Sequence, residues 1–69
     1  MGTWTADVGN DPNQDFDLCI ELMEDGEYRG KLQRDLSGEL QLTVYPAPKG
    51  VVFPVDWLLS MMNGAREEL

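Results

Sequence analysis

Apolar and polar positions alternate along most of this chain. Phe16, Leu18, Ile20 and Leu22 interleave with Asp17, Cys19, Glu21 and Met23, the period-two pattern of a half-buried strand. Glu24-Asp25-Gly26-Glu27 then reads as a turn. A two-residue Asp25-Gly26 loop would set Leu22 opposite Arg29 and put their side chains on unlike faces. A three-residue loop, Glu24-Asp25-Gly26, restores the match and places Gly26 at the left-handed position such loops favour. That register predicts Leu22 against Tyr28, Ile20 against Gly30 and Leu18 against Leu32. It also sets Glu21 across from Arg29, an opposite-charge pair worth about 0.2–1 kcal/mol. Leu36-Ser37-Gly38 permits the same loop type, pairing Leu32 with Leu42 and Gly30 with Val44. The next strand, 39–45, alternates Leu40, Leu42 and Val44 with Gln41, Thr43 and Tyr45. A β-meander over 15–45 follows. Gly30 at mid-strand predicts a bend, or another element packed closely over it.

The flanks extend this pattern. Trp4, Ala6 and Val8 alternate with Thr3, Thr5 and Asp7 ahead of a loop dense in turn formers at 9–14, so 1–14 reads as a strand and a loop. Pro46 to Gly50 forms a stiff connector, and 51–53 a short strand or extended lead-in. Pro54 suits a first helical turn, and Asp56 lies where the helix dipole favours a carboxylate. At about 100° per residue, Val55, Leu58, Leu59, Met62, Ala65 and Leu69 share one helix face. Asn63-Gly64 can cap the helix, or the helix runs on to Glu68 and carries the glycine at about 1 kcal/mol. The preferred span is 54–63 with a frayed or continued tail. The expected architecture is one α+β domain over 1–69: an antiparallel β-meander of three to five strands with one C-terminal helix packed on one face, the short strand and helix occupying 51–69. The expected core is Phe16, Leu18, Ile20, Leu22, Leu32, Leu40, Leu42, Val44, Val52, Leu58, Leu59 and Met62.

Length constrains how such a fold is stabilised. A chain of 69 residues buries only about 60% of its unfolded surface, and small scaffolds usually rely on a staple. With one cysteine and no histidine, neither an internal disulfide nor a structural zinc site is expected. A homodimer is the remaining staple. No basic start followed by an apolar run marks a signal peptide, and no stretch approaches the ~20 apolar residues of a membrane span. A reducing, cytoplasmic location is the expectation, with no membrane partner.

Charge changes the picture most. Residues 1–27 hold eight carboxylates (Asp7, Asp11, Asp15, Asp17, Glu21, Glu24, Asp25 and Glu27) and no Lys or Arg. Residues 28–69 hold five acids and five bases, so the net charge of −8 arises entirely in the first segment. Such a field repels nucleic acid and attracts cationic surfaces. Those eight residues are the candidate electrostatic contact to a basic protein partner. Trp57 and Met61, one turn apart and off the assigned core face, are candidate interface anchors, since aromatic residues and Met are enriched at interface centres.

Other chemistries find little support. Without His there is no common acid/base that titrates near neutral pH. Cys19 lies between Asp17 and Glu21, whose charge raises a thiol pKa. No catalytic or cofactor residue is assigned, and the chain reads as non-enzymatic. Asp11, Asn13, Asp15 and Asp17 copy the start of a calcium loop, but Phe16 stands where that loop needs Gly and Leu22 where it needs Glu, so no metal ligand is assigned. Arg29, Lys31, Arg34 and Tyr45 form an alternative, basic and aromatic sheet face for single-stranded nucleic acid, opposed by Asp17, Glu21 and the net charge.

Two resemblances add to this reading. Phe16 to Glu21, Glu24-Asp25-Gly26, Gly38-Glu39-Leu40 and Val52 to Leu59 resemble, over about 45 residues, small acidic immunity proteins encoded beside bacterial toxins. That likeness implies an inhibitor that binds and occludes a toxin; it transfers no residue role. The order of elements also resembles the Whirly-type and transcriptional-coactivator-type single-stranded-DNA-binding fold, with Lys49-Gly50-Val51-Val52 leading to Pro54 and Trp57 as its strand-to-helix junction. That likeness implies a dimer formed through the helix and a basic sheet face that grips DNA. The acidic first segment departs from it. The leading expectation is therefore an immunity- or inhibitor-type protein, with a nucleic-acid-binding dimer and a structural subunit of an assembly as alternatives.

Overall fold

The computed structural model describes residues 2–11 and 17–69, with Asp11 and Asp17 placed by backbone alone. Four strands run β1 (Trp4–Asp11), β2 (Asp17–Glu24), β3 (Glu27–Arg34) and β4 (Leu40–Val44), followed by one helix, α1 (Val55–Glu68). The strands form one antiparallel sheet in the order β1-β2-β3-β4. The α+β meander with a C-terminal helix is thus present, with the N-terminal strand as its fourth member. Residues 51–53 form no strand and run as a lead-in to the helix. Phe16, Asn13 and Asp15 lie outside the described residues.

The β2–β3 hairpin departs from expectation. Its loop is the two-residue Asp25-Gly26, with φ of 52° and 83°, as a twist-matched hairpin turn requires. A bulge then restores the faces: Leu22 pairs with Gly30 while Met23 pairs with Tyr28, leaving Arg29 as the extra residue. Ile20 therefore meets Leu32, and Glu21 meets Lys31 rather than Arg29. On the far side of the bulge from the turn this register differs from the expected one by two residues, so Ile20, Glu21, Leu22, Gly30, Lys31 and Leu32 keep their faces and only their partners change, whereas Tyr28, expected opposite Leu22, pairs with Met23 and moves to the outer face. The β3–β4 hairpin pairs Leu32 with Leu42 and Gly30 with Val44 as expected. Gly30 is a close-approach site: a Cβ there would lie 2.5 Å from the Thr43 main-chain oxygen and 3.6 Å from the Phe53 ring.

Leu22, Leu32 and Ala65 are fully buried. Ile20 joins them, with Ala6, Leu40, Leu42, Phe53, Trp57, Leu58, Met61, Met62 and Leu69 packed around. Leu18, Val44, Val52 and Leu59, expected in the core, are exposed. A helix is about 10 Å wide, whereas four strands at about 4.8 Å spacing span roughly 14 Å plus side chains. One helix covers the middle of such a sheet and leaves its corners bare.

The buried face of α1 is also rotated from the expected one. Val55 is 68% exposed and Leu59 52%, while Trp57 and Met61 pack inward. The cause is aromatic: Trp57 and Phe53 lie 5.3 Å and 4.9 Å from the Trp4 ring, centroid to centroid, and such tilted pairs add to area burial. The helix does not stop at Asn63-Gly64. It runs to Glu68, because Ala65 and Leu69 beyond the glycine are core residues and Arg34 caps its end. The Arg34 guanidinium donates to the main-chain oxygens of Leu69 (3.0 Å), Arg66 (3.1 Å) and Gly38 (2.7 Å). No helix among the described residues is long and apolar enough to cross a membrane.

Candidate functional site on the outer sheet face

The face of the sheet opposite α1 carries a groove of about 490 Å³. Alternation places Asp7 and Gly9 of β1 beside Glu21 and Cys19 of β2, since Asp7 pairs with Glu21 and Gly9 with Cys19. Tyr28 of β3 and Tyr45, just beyond β4, also line it. Gly9 leaves the wall low: a Cβ there would meet nothing within 4 Å.

Glu21 is held in position. Its Oε2 accepts a hydrogen bond from the Tyr45 hydroxyl at 2.9 Å, and its Oε1 one from the Cys19 thiol at 3.9 Å. Lys31, its register partner on β3, is half-buried and engaged in contacts of its own. Asp7 is exposed directly opposite Glu21. Four residues further along β1, Asp11 and Asp17 are also register partners. Like charges directly opposite one another destabilise a sheet, so β1–β2 carries an unfavourable pair at Asp7 and Glu21.

The remaining predicted acids gather at the other end of these strands. Glu24 and Glu27 hold Arg29 at 3.3 and 2.9 Å. The Asp25 carboxylate accepts the Thr3 N–H at 2.9 Å and ties the start of β1 to the turn. Asp15 lies outside the described residues.

Of the alternative basic face, Lys31 and Arg34 line one small cavity together, and the other two members are engaged with carboxylates. Arg29 is consumed by its two carboxylates, Tyr45 donates to Glu21, and Arg34 turns to the helix terminus rather than to the outer face. Trp57 and Met61 are core side chains, not a free anchor pair. Cys19, expected on a solvated face, is 2% exposed. Gly9 was not legible as a site residue, because only the register across the β1–β2 connection brings it beside Glu21, and Tyr28 was not, because only the β2–β3 bulge turns it to this face. Gln33, also missed, buries an Nε2 with no hydrogen-bond partner beside a smaller cavity of about 200 Å³. No group of three or more potential metal ligands occurs among the described residues.

Fold and groove together define a small acidic meander-and-helix domain with a carboxylate- and tyrosine-lined sheet face. The chain finds no match among protein-family models, curated proteins or solved structures.

Proposed function

We propose that this chain is a non-enzymatic protein-binding module that docks on a basic partner, most concretely as an immunity- or inhibitor-type protein acting by occlusion. The observation that carries this reading is the like-charge register pair of Asp7 with Glu21, set in a segment, 1–27, that holds eight carboxylates and no Lys or Arg. Such a pair costs stability in the free protein, and a cationic surface laid over it converts that cost into affinity. Complementary charge also speeds association. Arg29 offsets Glu24 and Glu27 at one end of the acidic segment and Arg34 is directed to main-chain oxygens, so neither cation is paired with Asp7 or Glu21.

The test is co-expression with the product of an adjacent gene encoding a basic, growth-inhibiting protein, followed by calorimetric titration of the purified pair. Neutralisation with an affinity that falls steeply as salt rises supports the reading. Binding that ignores salt, or tight uptake of a labelled single-stranded oligonucleotide at low salt, overturns it.

Homodimer formation is the second element of this reading. β4 ends the sheet as Leu-Gln-Leu-Thr-Val, with none of the charges or prolines that usually protect an edge. Met62 and Arg66 share a cavity with Leu40 and Leu42, so the flank of α1 that bears exposed Val55 and Leu59 faces the β4 side. Sedimentation equilibrium of wild type against Leu59→Lys tests it; a strictly monomeric wild type removes it.

A further inference from the structure

We infer that the outer-face groove is a receptor for a single arginine side chain of a protein partner. This rests on the reading above and specifies the group that reading left open.

A guanidinium is planar, presents donors along more than one edge and stacks on aromatic faces. The groove offers the complement of each property. Asp7 and Glu21, as directly opposed register partners, have Cβ atoms about 4.5–5.5 Å apart. That spacing lets one fork of donors reach both carboxylates. Each Glu21 oxygen accepts one internal hydrogen bond and keeps a second lone pair for a ligand. Tyr45 and Cys19 fix the Glu21 rotamer before binding, which lowers the ordering cost. The rings of Tyr28 and Tyr45 border the same space, and Tyr28 is 61% exposed, so a ring is open to a cation. Gly9 keeps the approach clear.

The local charge favours this occupant. Asp7 and Glu21 stand directly opposite each other on β1 and β2, with Lys31 as the register partner of Glu21 on β3. An arginine cation supplies the charge that the strand pair lacks. Lysine, a point charge without a planar face, satisfies one carboxylate at a time.

Nuclear magnetic resonance titration of the intact protein with N-acetyl-arginine amide tests the proposal, with N-acetyl-lysine amide in parallel. Saturable shifts confined to Asp7, Gly9, Cys19, Glu21, Tyr28 and Tyr45 are expected, with arginine preferred at least threefold. Asp7→Asn should weaken binding at least fivefold. Gly9→Leu, which fills the groove without a clash at Cβ, should abolish it with the spectrum otherwise retained. Glu67→Gln, an exposed acid on α1, should change nothing. Shifts spread over all acidic residues, equal losses for Asp7→Asn and Glu67→Gln, or no preference for arginine would overturn the groove while leaving the broader acidic-docking reading standing. Confined arginine binding by a protein that ignores every basic partner would do the reverse.

Discussion

Arg34 is the side chain on which three parts of the fold converge. It leaves β3, and its guanidinium donates to Leu69 and Arg66 at the helix end and to Gly38 in the β3–β4 loop, at 3.0, 3.1 and 2.7 Å. A hydrogen bond to a charged group is worth about 1.5–3 kcal/mol. Here two of the three are exposed and all share one side chain, so the sum falls well short of three full bonds. We expect Arg34→Met to cost about 2–3 kcal/mol. A chain of this length holds only about 3–10 kcal/mol in total at ~0.05–0.15 kcal/mol per residue. The loss should lower Tm by roughly 10–20 °C. Arg34→Lys keeps a cation near the helix C-terminus, worth about 0.3–1 kcal/mol, but cannot fork between helix and loop, so it should recover less than half. Urea denaturation followed by circular dichroism gives the totals. Amide exchange gives the mechanism: protection should fall together in 65–69 and 35–39. Arg34→Lys matching wild type, or Arg34→Met costing less than about 0.5 kcal/mol, the range of an ordinary surface change, would refute the clamp.

Three further outcomes follow from the same geometry. Gly64→Ala should stabilise by about 0.5–1 kcal/mol, because Gly64 is interior to α1 and a Cβ there meets nothing within 4 Å; a lowered Tm would show that the helix ends at Asn63 after all. Gly30→Ala should cost about 1–3 kcal/mol, since its Cβ would press on the Thr43 main-chain oxygen at 2.5 Å, and an unchanged urea midpoint would contradict that contact. The Asp35 carboxyl should titrate below its ordinary value of 3.8, chiefly through the Ser37 hydroxyl it accepts and then the Glu39 N–H. Its folded pKa is depressed, so its contribution to stability is present above about pH 3.8 and is lost as pH falls through the lower, folded value. Resonance titration checks the value, and Asp35→Asn should flatten the acid limb of stability against pH.

The candidate site was half legible before the fold. Asp7 and Glu21 stood in the carboxylate-rich segment, and Tyr45 on the face opposite the helix, all from alternation and counting. Their convergence was not legible, because the β1–β2 register spans a connection whose length and turn chemistry no period-two pattern specifies. Trp57 and Met61 misled for a related reason. Six of the first eight helix residues are apolar, so the helical period leaves the buried face open, and the rings of Trp4 and Phe53 chose it.

By itself, the order of residues along the chain determined which segments are strands, which face of each turns inward, that a helix closes the fold, and that all surplus charge comes from 1–27. These are local quantities, set by periods of two and of about 3.6 and by turn residues. Partner choice belonged to tertiary structure: the bulge at Arg29, the continuation through Gly64 to Ala65 and Leu69, the Arg34 clamp, and the opposition of Asp7 to Glu21. A two-residue shift between strands leaves every side chain on its original face, so alternation cannot detect it. Only the packing of Ile20 on Leu32 and of Phe53 over Gly30 makes one such alignment lower in energy than the next.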